Sequence, residues 1–176
     1  MRIYNFSAKA GSGKDLACEI IKEYYGKDKV CHMLFAKYIK GYAKDYFGWD
    51  GEEATKPREL LQKIGTEIIR DKMENPNFHA NRLIEDIKIL SNYFDVFVVT
   101  DCRFENELKL LNLVFKKDVI NIRIERPDYD NKMTEEQKNH KSETSLDGYD
   151  EWDFIIKNNG TLKEFYKKIK EVLNDR

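Results

Sequence analysis

An apolar run (Ile3, Tyr4, Phe6), a glycine-bearing loop and a helical pattern (Leu16, Ile20, Ile21, Tyr24) follow one another at the start of the chain. The loop reads Ser7-Ala-Lys-Ala-Gly-Ser-Gly-Lys14-Asp15. Strand, loop and helix in that order demand a tight turn, and Gly11 and Gly13 supply the backbone freedom it needs. Successive amides then point inward and the positive end of the helix adds to them, so the loop is suited to cradle phosphates. Lys14 reaches the β- and γ-phosphates as a point charge. Ala8 stands where the usual pattern has its first Gly, and Asp15 where a Ser or Thr hydroxyl touches magnesium. A carboxylate there serves the metal directly or through water, since magnesium favours oxygen ligands and keeps several waters. The competing reading is a strand-to-helix turn without a ligand.

A length of 176 residues suits one domain with a real core. The formal net charge of -1 gives no support for a nucleic-acid polymer or an anionic membrane as partner. No apolar run approaches spanning length, and the N-terminus enters a strand without a signal-peptide core, so a cytoplasmic protein is expected. Cys18, Cys31 and Cys102 are scattered without metal-ligand spacing and read as reduced thiols with no catalytic role.

Further along, Val30 to Phe35 reads as a strand followed by a helix over 36–47. Pro57 suits a helix's first turn, and Leu60, Leu61, Ile64 and Ile68 recur at helical spacing. After the break at Glu74-Asn-Pro-Asn77 comes a second such stripe: Ala80, Leu83, Ile84, Ile87, Leu90. Val96-Phe-Val-Val99 is a continuous apolar run, as expected of a strand buried on both faces. A helix (Phe104, Leu108, Leu111) and a strand from Val119 to Ile124 follow. Residues 126–150 are polar, with a weak helical signal at Thr134–Gln137, and resemble a mobile lid. Asp153 to Lys157 reads as the last strand, and Thr161-Leu-Lys-Glu164 is a capping box opening an amphipathic helix. Strands separated by helices predict an α/β domain with a parallel five-stranded sheet, whose ligands sit beyond the carboxyl ends of the strands.

Phosphoryl transfer asks for positioning and positive charge around the moving group. Asp101, directly after a strand, can orient magnesium or its waters; the alternative is an N-cap for the helix beginning near Arg103. Arg103 projects from the same edge, and Lys9 lies within the loop itself. Lys40 sits on a lysine-rich helix whose default reading is a solvated face. Arg58 and Gln62 share one helical face; the guanidinium fork suits a phosphate monoester and the amide a nucleobase edge. Arg126 ends a strand beside the lid, and His140 lies within the lid. Each of these, taken singly, is also readable as an ordinary surface residue.

Several separated runs line up with one family. They are Lys9–Asp15, Phe35-Ala-Lys-Tyr-Ile-Lys40, Arg58–Arg70, Asp101-Cys-Arg-Phe-Glu-Asn-Glu107, His140-Lys-Ser-Glu143 and Ile156–Leu162. In order and spacing the chain resembles the bacteriophage-type deoxynucleoside monophosphate kinases, a branch of the P-loop nucleotide kinases. The resemblance implies a P-loop fold with a nucleoside monophosphate-binding segment over about 36–93 and a lid over about 126–150. It implies transfer from ATP, with Mg2+, to a (deoxy)nucleoside monophosphate. Ala10, Gly11, Ser12, Gly13, Lys14, Asp15 and Leu16 would hold ATP, with Asn159 and Gly160 bordering its adenine. Lys14, Asp101, Arg103 and Arg126 would serve catalysis, and Asp15 and Asp101 the metal. Lys9, Lys40, Arg58, Gln62, Arg70 and His140 would contact the acceptor. The chain departs from its relatives at Phe78, where Trp is usual, and around Asn112 to Lys117, where glycines are usual.

Two other readings remain. One is a P-loop kinase for another phosphorylated acceptor, since the animal-type phosphomevalonate kinases resemble this loop including its aspartate. The other is a nucleotide-binding module without catalysis. Partners are expected to be small nucleotides, and a homodimer stays open.

Overall fold

Residues 1–127 and 133–175 are described by a computed structural model, so 128–132 of the expected lid lie outside the described residues. Strand β1 (Arg2–Ala8) is buried along nearly its whole length and occupies the centre of a parallel sheet. Helix α1 (Lys14–Tyr25), β2 (Val30–Met33) and α2 (Lys37–Phe47) follow. Next come α3 (Arg58–Gln62), which continues as a π-helix over Lys63–Lys72, and α4 (Phe78–Leu90). Strand β3 (Val96–Val99), α5 (Glu105–Phe115) and β4 (Val119–Glu125) complete the central part. Short helices α6 (Glu135–Asn139) and α7 (Lys141–Thr144) precede β5 (Phe154–Lys157) and α8 (Leu162–Asn174).

The sheet has five strands in the order β2-β3-β1-β4-β5, all parallel. Both faces are covered, as a parallel sheet requires. Tyr4, Phe6 and Val98 pack with Ile20 and Ile21 of α1 and Phe165 and Ile169 of α8. Ile3, Phe97 and Val99 pack with Leu83 and Ile87 of α4 and Leu108 and Leu111 of α5. A third cluster, Ile39, Ala43, Leu61, Ile64 and Ile69, joins α2 to α3 and its π-helical extension away from the sheet. Among the described residues no helix is long and apolar enough to cross a membrane.

The helix after Arg58 differs from the regular period expected of it. Its widened turn, with Met73 N–H donating to Ile68 O at 2.8 Å, advances the buried stripe from Ile64 to Ile69 and Arg70, leaving Ile68 only half-buried. π-Helical turns are rare and cluster at functional sites. Gly65 permits this one to seat closely, because a Cβ there would lie 3.0 Å from Ile39 Cδ1. His79 from α4 lies 3.2 Å from the Gly65 carbonyl.

Gly13 is required twice over. Its φ of +104° is one that L side chains rarely adopt, and a Cβ would lie 2.7 Å from Asn158 Nδ2 and 3.3 Å from Phe165 Cζ. Gly13→Ala is expected to destabilise the fold by about 1–3 kcal/mol, combining backbone strain and overpacking. Chemical denaturation would check this, and an unchanged midpoint would contradict it.

Candidate functional site

The 9–15 loop connects the carboxyl end of β1 to α1. Helical bonding begins at Ala17, whose N–H donates to Gly13 O at 3.0 Å, so the amides just ahead have no helical acceptor. Ser12 N–H closes the loop on Lys9 O at 3.3 Å. The carbonyls of the loop are held from outside. Asn158 Nδ2 donates to Ser12 O at 2.9 Å, and Arg126 Nη1 to Gly11 O at 3.1 Å. Gly11 and Gly13 both have positive φ, as the turn needs. Lys14 is 18% exposed, and among the described residues its ion-pair partner is Asp15 Oδ2 at 3.7 Å, too long for a tight pair. Its ammonium is therefore held at the loop without a tight ion pair among the described residues.

Beyond the strand ends lies a cavity of about 570 Å³. Ala10, Gly11, Lys14 and Asp15 form one part of its lining, Lys40, Arg58 and Gln62 another, and Asp101 and Arg103 a third. Three segments distant in sequence thus meet in one space. Lys40 is half-buried; burial pushes its ammonium down, and Asp101 opposes that shift.

Asp101 is not the N-cap of α5. Its Oδ1 accepts from Phe35 N–H at 2.8 Å and its Oδ2 from Ala36 N–H at 3.1 Å, so it holds the segment leading into α2. The amides ahead of α5 belong to Glu107, whose Oε2 accepts from Arg103 N–H at 2.8 Å and Phe104 N–H at 3.1 Å. Arg103 Nη1 donates to Glu143 Oε2 at 2.5 Å, tying the edge of β3 to α7.

Other expected site residues lie elsewhere. Lys9 is exposed and pairs with Asp147 at 3.0 Å, outside the cavity lining. His140 caps α7, with Nδ1 accepting from Ser142 N–H at 3.2 Å; Ser142 and Glu143 of the same run line the cavity instead. Asn159 and Gly160 are exposed, and the neighbouring Asn158 is the one that touches the loop. Leu16 packs beside the core, and Ser12 is buried. Arg70 reaches the cavity but is engaged away from it: Nη2 donates to Glu107 Oε1 at 2.5 Å, Nη1 to Pro76 O at 2.5 Å, and the guanidinium lies 3.8 Å above the Phe104 ring. Burial pushes the Glu107 carboxyl up, and Arg70 opposes it.

Sequence reasoning assigned no role to His32, Glu53, Lys56, Glu107 or Glu143, all of which line the cavity. His32 lies at the carboxyl end of β2, 2.7 Å from Thr100 Oγ1, and that strand-end position was its one available cue. Burial pushes the Cys18 thiol up to about 12 and raises Cys102 as well, which fits inert core thiols.

Magnesium prefers oxygen ligands and keeps several waters. Asp15 offers one exposed carboxylate, and each Asp101 oxygen keeps a lone pair beside its accepted amide. No group of three His, Cys, Asp or Glu forms a metal cage among the described residues. These residues fit a cation carried chiefly by phosphate oxygens and water.

A family model described as deoxynucleotide monophosphate kinase matches residues 44–169. A putative deoxynucleotide monophosphate kinase of Acanthamoeba polyphaga mimivirus is 30% identical over 121 residues, covering 64% of this chain and 58% of that protein. The deoxynucleotide monophosphate kinase of Escherichia phage RB69 is 26% identical over 116 residues, covering 66% of this chain and 44% of its own. The matches thus span about half the length of these relatives. Among solved structures, dephospho-CoA kinase from Campylobacter jejuni superposes with a TM-score of 0.52 at 19% identity, over 99% of this chain and 97% of its own. That likeness concerns the fold.

Proposed function

The chain belongs to the deoxynucleotide monophosphate kinase family, and on that premise we propose that it transfers the terminal phosphoryl of ATP to a (deoxy)nucleoside monophosphate. The carrying observation is that Lys14, Lys40, Arg58, Asp101 and Arg103 line one cavity at the carboxyl ends of parallel strands. An anion-binding loop on one side and separate cations on another are what a two-phosphate reaction needs.

In this reading the amides of residues 10–16 and the ammonium of Lys14 hold the donor. Lys14 contributes most when charge spreads over the transferred group. Asp101 and Asp15 would hold magnesium, in part through water, and when bound it would supply positive charge beside the donor's phosphates. Arg58 and Lys40 grip the acceptor's phosphate, and Gln62 reads its sugar or base. Arg103 faces both phosphates. Arg126 steadies the Gly11 carbonyl and with it the loop. Arg70 supports the acceptor wall from behind, through Glu107 and Phe104. Residues 36–93 act as the acceptor-binding segment and 126–150 as the lid of a single domain working on small nucleotides in the cytoplasm.

A coupled assay for ADP release against the eight common (deoxy)nucleoside monophosphates tests the proposal. At least one should yield the diphosphate at a rate well above ATP hydrolysis; silence from the whole panel would end it. Arg58→Ala should raise the acceptor KM by about tenfold or more and leave ATP affinity nearly intact, since its fork addresses one phosphate only. An unchanged acceptor KM would make the residue merely structural.

A further inference from the structure

We propose that Lys56 is a further ligand of the acceptor's phosphate, and that the Glu53 carboxylate occupies the same place until that phosphate arrives. This rests on the reading of the cavity given above. Glu53 spans two cations: Oε2 accepts from Lys56 Nζ at 2.9 Å and Oε1 from Arg58 Nη2 at 2.6 Å. A phosphate monoester can make the same two contacts with an additional oxygen and about twice the charge. Exposure separates the partners. The side chains of Lys56 and Arg58 are 20% and 27% exposed and that of Glu53 is 68%, so the cations belong to the wall and the carboxylate covers them.

The field agrees with the geometry. Lys40 is pushed down first by burial, with Lys56 and Lys14 adding to the shift while Asp101 and Glu53 oppose it. Burial would raise the Glu53 carboxyl, but the bond from Lys56 and the charges of Arg58 and Lys14 hold it low. Lys14, Lys40, Lys56 and Arg58 therefore act on one small volume, and Glu53 is an anion on hand to relieve their mutual repulsion. An incoming dianion takes over that role and frees the carboxylate to solvent, where its hydration is recovered. Lys56 lies on the connection into α3 and Arg58 opens that helix, both apart from the 9–15 loop, which assigns them to the acceptor and not to the donor.

Calorimetric titrations of the whole chain test this, with inorganic phosphate, then dGMP and dTMP, each in the presence of ADP to fill the donor loop, and finally with ATP alone. Glu53→Gln should tighten phosphate and the better-bound monophosphate about fivefold, and Lys56→Gln should weaken both about tenfold. ATP affinity should stay within about twofold in both variants, and Lys56→Arg, which keeps the charge, should bind like the parent. Glu53→Gln binding phosphate no tighter, Lys56→Gln binding it equally well, or the same changes appearing for ATP would each overturn the assignment. No titration requires turnover, so the expected pattern in a protein that makes no diphosphate would sink the kinase reading and leave the phosphate site standing.

Discussion

Replacing Lys14 by alanine is expected to lower kcat by roughly 100- to 1,000-fold, with a much smaller change in ATP affinity. The expectation follows from how the side chain is held. It is 18% exposed and among the described residues its carboxylate partner is 3.7 Å away, so its charge is neither fully solvated nor tightly paired there. A cation in that state interacts most strongly with the largest local build-up of negative charge, which arises as the phosphoryl group leaves. The loop amides remain in the variant and keep much of the ground-state binding. Stopped-flow measurement of diphosphate formation at saturating substrates reads the effect directly. Turnover within about threefold of the parent would remove Lys14 from the reaction and with it the assignment of the loop.

Arg70→Ala should destabilise the fold by about 3–5 kcal/mol, the range for removing one partner of a buried ion pair. Arg70 and Glu107 are 5% and 3% exposed at their side chains, so alanine leaves a poorly hydrated carboxylate without its counter-charge. The variant also loses the guanidinium stacked over Phe104 and the bond to the Pro76 carbonyl. Replacing both partners with apolar residues should not restore stability fully, because Glu107 also accepts the amides of Arg103 and Phe104. Those donors would be left unpaired at the head of α5. Urea denaturation followed by circular dichroism gives the number, and a loss below about 1 kcal/mol would show that the pair is solvated in practice. The Arg103 amide hangs on the same carboxylate, so the surviving folded fraction should also turn over more slowly.

How far the sequence could be read depended on the range of the interaction. Strand β3 was legible as four apolar residues with no alternation, and all four are buried. The capping box at Thr161 was legible because its partners are three residues apart, and Glu164 N–H donates to Thr161 Oγ1 at 3.3 Å. Arg58 and Gln62 were placed on one face by the α-helical period, and both line the cavity. The period misled just beyond them, where the π-helix replaces Ile68 with Ile69 in the core and turns Arg70 inward. Charge abundance hid Lys56 and Glu53, which look like any pair on a surface rich in both signs.

What the sequence determined alone is what a few neighbouring residues can decide: the tight loop between β1 and α1 with its two glycines, the alternation of strand and helix, and so the sheet edge where the cavity lies. The strand order, the π-helical register and the pairings Arg70–Glu107, Arg103–Glu143 and Asp101 with the Phe35 and Ala36 amides were decided only by the tertiary structure. Local torsional preferences and nearby hydrogen bonds act within a turn or two of the chain. Desolvation of a charge and the fit of one helix on another depend on which distant segments arrive beside it, and a linear pattern carries no record of that.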